Sequence, residues 1–175
     1  MEKKNCIFLD IDGVLTNKKH YLKLYKKDKG SLTIENSIAG ENLKILKKIY
    51  KKLNRECPTE IVLSSTWRFS EKDTAIVDTN LAANGLPETS GITPKDFTHR
   101  GLQILKYLEV KKCLYKKVVI IDDDTYDIKP YLRKDFIFIN TDTYKGLTYK
   151  DYFKFLIDFY KAKKEDFLWK IYKGK

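Results

Sequence analysis

The sequence predicts an α/β domain built on a parallel sheet. Short apolar runs alternate with helical patterns along the chain, and neither an internal repeat nor a linker interrupts them. A length of 175 residues suits one domain with a real core, so residues 1–175 are treated as a single domain. Ligands of parallel sheets bind at the carboxyl ends of the strands. The polar residues that directly follow each apolar run are therefore the candidates for a site.

The first apolar run, from Cys6 to Leu9, is predicted to be a buried strand, and Ile11 continues its pattern. Two carboxylates, Asp10 and Asp12, follow it. On an extended strand they would point the same way, about 6.6 Å apart. An Asp-Gly pair is also typical of a turn. Asp10 favours a functional interpretation because an unpaired carboxylate inside an apolar run is costly to bury.

Gly13 comes next, where the backbone can turn sharply or let a substrate come close. The segment 17–30 then leaves directly from Asp12 and is predicted to form a flap or hairpin that overhangs it. Its lysines, beginning with Lys18 and Lys19, are interleaved with tyrosines, a pattern that suits a phosphate backbone and a stacking base. The alternative is a solvated surface flap that binds nothing.

Apolar residues recur at helical spacing over 41–53, which predicts a helix there. A short buried strand, 61–63, follows, and a second polar cluster comes directly after it. Its hydroxyls and guanidinium can bind phosphate oxygens, although Ser and Thr at this position can equally cap the next helix. The candidate substrate-binding residues of this cluster are Ser64, Ser65 and Arg68.

Two helices and a third strand are predicted next. The first helix covers 71–83 and ends at Asn84-Gly85, the second opens at 99–101, and the strand covers 118–121. Irregular backbone separates the helices. The second helix is expected to bury Leu102, Ile104, Leu105 and Leu108. The strand ends in three consecutive carboxylates, Asp122, Asp123 and Asp124.

The rest of the chain is predicted to form a short helical piece over 127–133 and a fourth strand over 136–139. A last helix starts at Thr148, which is a good N-cap. Its expected buried face consists of Tyr152, Phe155, Leu156 and Phe159. A final turn or short helix is expected over 164–175, where Trp169 and Ile171 pack.

The strand ends would bring together as many as four carboxylates: Asp10, Asp12, Asp122 and Asp123. Like charges a few Å apart repel each other, and a divalent cation removes that penalty. Hard oxygen ligands favour Mg²⁺, and without a nearby histidine in the sequence zinc is not expected. One carboxylate can attack phosphorus and form an aspartyl phosphate. Another can protonate the leaving oxygen and then activate water.

In these motifs the sequence resembles the haloacid dehalogenase (HAD) superfamily, whose first strand ends in Asp-x-Asp-Gly; here this is Asp10-Ile11-Asp12-Gly13. The resemblance implies a three-layer, Rossmann-like parallel sheet with helices on both faces. It also implies a Mg²⁺-dependent phosphatase in which Asp10 is the nucleophile, Asp12 the general acid/base and Ser64 a donor to phosphate oxygen. The implied metal ligands are Asp10, the backbone carbonyl of Asp12, and Asp123 or Asp122, of which Asp123 is preferred for its spacing to Asp127.

The superfamily usually has a lysine before the final acidic strand, and here Arg100 is the best placed cation, with Lys95 as the fallback. Arginine keeps the charge but differs in geometry. The motifs at 63–68, 100–104 and 119–124 resemble a narrower branch, the HAD domain of Swiss-army-knife RNA repair proteins, over roughly residues 5–160. The gaps on either side of the Ser64 cluster look too short for a folded α/β cap. An open site beside a basic flap favours a phosphate end on a nucleotide or nucleic acid over a small metabolite.

Composition narrows the choice of partners and compartment. The net charge of +11 indicates a phosphate-rich partner, although it is nearly all lysine and an A·T-rich coding sequence would produce the same excess. No apolar run is long enough to cross a membrane, and the N-terminus does not resemble a signal peptide, so a cytoplasmic protein is expected. The three cysteines are too widely spaced for a disulfide framework or a zinc site.

Two other function classes compete with the phosphatase. One is a nucleic-acid-binding module on a catalytically idle scaffold, which the full set of acids argues against. The other is a phosphoacceptor signalling domain, in which the phosphorylated Asp ends a later strand. Because the candidate nucleophile here ends the first strand, that class does not fit.

Overall fold

The computed structural model describes residues 3–28, 33–111 and 115–173, except for the side chains of 163–173. Within these residues five strands form one parallel sheet in the order β3-β2-β1-β4-β5. The strands are β1 (Lys4–Leu9), β2 (Thr59–Leu63), β3 (Gly91–Ile92), β4 (Tyr115–Asp122) and β5 (Phe136–Asn140). The predicted parallel-sheet α/β class is confirmed. The short β3 was not predicted, because two residues within an irregular segment carry no periodic signal.

Six helices accompany these strands in the described ranges. They are α1 (Lys18–Lys27), α2 (Ile34–Ser37), α3 (Gly40–Asn54), α4 (Glu71–Ala83), α5 (Arg100–Lys111) and α6 (Tyr149–Lys173). Single 3₁₀ turns cover Thr66–Phe69 and Lys129–Tyr131. The predicted bounds of α4 are confirmed, and its end is marked by Gly85 at φ +67°. The prediction for α3 was short by one residue at each end.

The helices cover both faces of the sheet, so the domain has three layers. On one face, alternate strand residues such as Ile7 and Leu9 pack with apolar side chains of α3, α4 and α6. On the other face, Phe8 and its neighbours pack with Ile104 and Tyr107 of α5. This alternation follows from the two-residue period of a strand, and it explains why both sides of the central strands are apolar.

Several sequence predictions were wrong. The segment 17–30, expected to be a flap or hairpin, contains the helix α1, and its residues 29–30 lie outside the description. Helix α6 is continuous through 173, where a separate final turn or short helix was expected; the packing of Trp169 and Ile171 lies outside the described side chains. In α5 the buried face includes Gln103 and Tyr107, whereas Leu102, Leu105 and Leu108 are only partly buried.

Only two short helices, α1 and α2, lie between β1 and α3 in the described chain, and α1 has no buried residue. The expected absence of a sizeable α/β cap agrees with this architecture. Helix α1 is held at its start, where Asn17 accepts from the His20 amide and the amides of Lys18 and Lys19 donate to the 143–144 backbone. In the described chain, no helix has the length and apolar character needed to cross a membrane.

Candidate active site

The site forms where the carboxyl ends of β1, β2 and β4 meet. The backbone hydrogen bonds of the sheet continue just beyond the strands. The Asp10 amide donates to the Ile121 carbonyl, and the Ser64 amide donates to the Leu9 carbonyl. Asp122 is the last residue of β4, so it stands beside Asp10 at the same edge of the sheet. Parallel pairing therefore brings the three predicted polar clusters together although they are far apart in sequence.

Three carboxylates gather at this edge. One carboxylate oxygen from each of Asp10, Asp122 and Asp123 lies within 4.8 Å of the others. Asp10 and Asp122 are buried, while Asp123 is half-buried and accepts a hydrogen bond from the Thr143 hydroxyl at 2.8 Å. The side chain of Asp12 is not part of this group, so its predicted role in metal binding depends on its backbone carbonyl alone.

Burial makes the negative charges at this edge unfavourable. Desolvation and the nearby Asp122 charge raise the pKa of Asp10 to about 7, despite the opposing effect of Arg100. Burial likewise raises the pKa of Asp122. Oδ1 of Asp10 is buried and makes no hydrogen bond with the described residues. Three hard oxygen donors gathered at one place are a ligand set that suits a divalent metal, so these residues fit such an ion.

Arg100 is the cation that faces the acids. Its Nη1 lies 3.1 Å from Oδ2 of Asp10 and donates to Oδ2 of Asp122 at 2.7 Å. Burial lowers the pKa of Arg100, but the two carboxylates outweigh burial and raise it, so the guanidinium stays charged. Lys95, the fallback, is exposed and lies over the ring of Phe69. Of the two candidate cations, Arg100 contacts the acids, whereas Lys95 contacts the ring of Phe69.

Arg100 is positioned by the start of α5. Asp127 lies 3.0 Å from Nδ1 of His99, and its backbone carbonyl accepts from the Gly101 amide. Asp127 therefore anchors the helix that carries Arg100 and does not join the acidic group. The position of Asp127 therefore gives no support for preferring Asp123 over Asp122, and both belong to the acidic group.

Asp12 lies in a tight turn and not on an extended strand, which corrects the expected geometry. β1 ends at Leu9, and the amides of the following turn converge on the Ile11 carbonyl. Gly13 adopts φ +70°, and its carbonyl accepts from Thr141. This turn buries Asp10 and exposes Asp12, so the two acids differ in environment.

The exposed Asp12 carboxylate is held by two donors. The Thr16 hydroxyl donates to Oδ1 at 3.1 Å, and the indole N–H of Trp67 donates to Oδ2 at 3.0 Å. A carboxylate in this position is oriented yet accessible, as a group that exchanges protons with a substrate must be. Trp67 was part of a recognised sequence motif but was not assigned a role. No local signal pointed to Thr143.

The second polar cluster divides into two parts. Ser64 is fully buried at the strand end, and its hydroxyl has no hydrogen-bond partner among the described residues. The Ser65 side chain accepts from the Trp67 amide, as expected from the capping interpretation. Arg68 is buried and points to protein acceptors: the carbonyls of residues 64, 65, 93 and 94, and the side chain of Gln103. With these acceptors Arg68 joins β2 to α5, and its donors are not directed at the acids.

The basic segment lies beside the site as expected, but as a helix. Lys18 lines a cavity of about 490 Å³ that also borders Asp12 and Gly13. Lys19 lines a different cavity, on the side of α1 that faces α3. Of the two lysines predicted to bind substrate, only Lys18 therefore borders the cavity beside Asp12.

A known domain family and a solved structure are similar to this chain. The family described as the HAD domain in Swiss Army Knife RNA repair proteins matches residues 6–152. Among solved structures, a haloacid dehalogenase-like family hydrolase from Streptococcus pneumoniae is similar, with 11% sequence identity and a TM-score of 0.46. The match covers 88% of this chain and 90% of that one. A search of curated proteins found no significant match.

Proposed function

The chain belongs to the family of HAD domains in Swiss Army Knife RNA repair proteins, and from that premise we propose that it is a Mg²⁺-dependent phosphatase. It would hydrolyse phosphate monoesters through an aspartyl phosphate on Asp10. The observation that carries the proposal is the environment of Asp10. One of its oxygens is held by Arg100, the other has no hydrogen bond to the described residues, and Asp122 and Asp123 stand beside it.

In the first step an oxygen of ionised Asp10 attacks phosphorus, and the bond from phosphorus to the leaving oxygen breaks. Asp12, in its protonated form, gives its proton to that oxygen. In the second step Asp12 removes a proton from water, which attacks phosphorus, releases phosphate and restores Asp10. The difference in environment supports these roles, because Asp10 is fixed and buried while Asp12 is exposed to an incoming group.

The remaining groups would bind the phosphoryl group and the metal. Asp10, Asp122 and Asp123 would hold Mg²⁺, together with the Asp12 carbonyl that the family resemblance implies. Bound there, the ion supplies positive charge next to the phosphate oxygens. The Ser64 hydroxyl is buried and unpartnered among the described residues, which supports its predicted role as a donor to a phosphate oxygen. Arg100 keeps Asp10 in a fixed orientation and adds a permanent positive charge.

The proposed substrates are phosphate ends of nucleotides or nucleic acids. The support is electrostatic and steric. The chain carries a net charge of +11, and the basic helix α1 borders the site with Lys18 in the cavity beside Asp12. Among the described residues between β1 and α3, only the short helices α1 and α2 are found, and this favours access for a long substrate.

The test is turnover of an aryl phosphate and of phosphorylated nucleotides and oligonucleotides, with Mg²⁺ and with a chelator. We expect Mg²⁺-dependent release of phosphate that Asp10→Asn abolishes, together with a phosphorylated wild-type protein after acid quench. The matched control is Asp124→Asn. Asp124 neighbours the acidic group, but its side chain only accepts from backbone amides, which Asn can also do. Absence of Mg²⁺-dependent turnover on every substrate, or equal loss in both variants, would overturn the proposal.

A further inference from the structure

The cavity that borders Asp12 has aromatic and aliphatic walls. Its volume of about 490 Å³ lies within the range of roughly 300–1,000 Å³ typical of small-molecule sites. Trp67 lines it from the turn after β2, Tyr21 from α1 and Ile34 from α2. Trp67 packs against the core and is half-buried, so its ring is fixed, whereas Tyr21 is 48% exposed. The cavity thus places a fixed ring and a surface ring next to the candidate acid/base.

The position of Asp12 determines what must enter this cavity. A general acid has to lie within hydrogen-bond reach of the oxygen that it protonates. The Asp12 carboxylate is held by Thr16 and Trp67, both of which also line the cavity. The group attached to the leaving oxygen therefore extends from Asp12 into this space, while the phosphoryl group lies at Asp10.

Several uncharged polar side chains of the lining are already engaged. Thr143 donates to Asp123, the Ser37 hydroxyl donates to a backbone carbonyl, and the amide of Asn17 donates to Asn42 and accepts from the backbone. Among the described lining residues, no side-chain amide is left to read the edge of a base. Rings remain available, and stacking on a ring tolerates every base because each has a π-face.

We propose that this cavity is the leaving-group subsite and binds the terminal base of a nucleotide or nucleic-acid strand by stacking, without selecting which base. This inference rests on the proposed function and specifies its substrate. Trp67 and Tyr21 supply the stacking rings, and Lys18 supplies a charge for a neighbouring phosphate at the cavity wall. Trp67 has a second role, because its indole N–H donates a hydrogen bond that positions the Asp12 carboxylate.

The first experiment compares kcat/KM for the four ribonucleoside monophosphates with kcat/KM for glycerol phosphate. We expect the nucleotides to be preferred by roughly 5- to 150-fold, the range that stacking on an aromatic ring provides, and to lie within about threefold of each other. Tyr21→Ala should lower the ratio of nucleotide to glycerol phosphate by about tenfold. Tyr144→Ala is the control: Tyr144 is 47% exposed, much like Tyr21, and is not among the cavity residues.

Each contrary result points to a different failure. Equal turnover of glycerol phosphate and nucleotides overturns the subsite and leaves the phosphatase standing. Preference for a single base overturns recognition by stacking alone, and preference for a phosphotyrosine peptide assigns the cavity to a protein substrate. Equal effects of Tyr21→Ala and Tyr144→Ala attribute the loss to the removal of any exposed ring and overturn the role of Tyr21.

A second measurement does not require turnover. Adenosine monophosphate is titrated into Mg²⁺-loaded Asp10→Asn protein while tryptophan fluorescence is followed. We expect quenching that disappears in the additional variant Trp67→Phe, which leaves only Trp169 as an emitter. Quenching that persists without Trp67, or no quenching at all, overturns the subsite even if the protein proves to be a phosphatase on other substrates.

Discussion

Replacing Arg100 with methionine should destabilise the metal-free protein in a pH-dependent way. Arg100 places one nitrogen 3.1 Å from Asp10 and 2.7 Å from Asp122. The side chains of these two acids are 3% and 0% exposed, and that of Arg100 is 17% exposed. Arg100→Met leaves two buried carboxylates facing each other without the cation that contacts both, in a place where solvent cannot screen them.

Breaking a buried ion pair by removing one partner typically costs about 3–5 kcal/mol. Here the acids can escape part of that cost by keeping a proton, because burial already raises the pKa of Asp10 to about 7. Without Arg100 that pKa rises further. The variant then holds a proton at pH 8 that the native wild-type protein has largely lost, while at pH 6 both proteins hold it. The loss of stability should therefore be greater at pH 8 than at pH 6, by about 1.4 kcal/mol for each unit of pKa involved.

The assay is urea unfolding with a chelator at pH 8 and at pH 6. The control is Arg133→Met, since Arg133 pairs with Asp135 at 3.3 Å but both side chains are more than half exposed. Exposed pairs contribute at most about 1 kcal/mol, and this loss should not change over the same pH range. Equal losses for Arg100→Met at the two pH values, or a loss no larger than that of Arg133→Met, would refute the electrostatic account.

Three more outcomes follow from the site. Gly13→Ala should weaken Mg²⁺ binding, measured by calorimetry, because a Cβ at φ +70° overlaps the Asp123 carboxylate; unchanged affinity would contradict the placement of Asp123. Trp67→Phe keeps the ring but removes the donor to Asp12, so kcat should fall by about tenfold on nucleotide and glycerol phosphate alike, with the nucleotide preference retained. In the metal-free wild type, the native Asp10 holds a proton that the unfolded chain releases near pH 3.8. Its unfolding free energy should therefore decrease by up to about 4 kcal/mol between pH 4 and pH 7. Saturating Mg²⁺ should reduce that decrease, and a metal-free stability that rises over this range would count against the raised pKa.

The predicted strands and their acidic ends were confirmed because their signals are local. An apolar run followed by Asp or Ser marks a strand end, and parallel pairing brings such ends to one edge without further information. Asp10, Ser64 and Asp122 could be placed in this way. Helix α1 was missed although Tyr21, Leu22, Leu24 and Tyr25 recur at helical spacing. None of its residues is buried, and the lysines interleaved with them were interpreted as a surface flap. The separate final turn or short helix expected over 164–175 was also wrong, because α6 continues through 173 and Gly or Pro, the usual stop signals, are missing from its sequence.

The two arginines show where sequence information ends. Arg68 was a candidate for substrate binding, and Arg100 was the candidate for the cation that the superfamily usually places before the final acidic strand. Arg68 turns towards backbone carbonyls, whereas Arg100 turns towards Asp10 and Asp122. The sequence by itself determined the fold class, the family and the acids at the strand ends, because these depend on periodicity and short motifs. Only the tertiary structure decided which cation meets the acids, which carboxylate is buried and which ring lines the cavity, because burial and charge pairing arise between residues far apart in the chain.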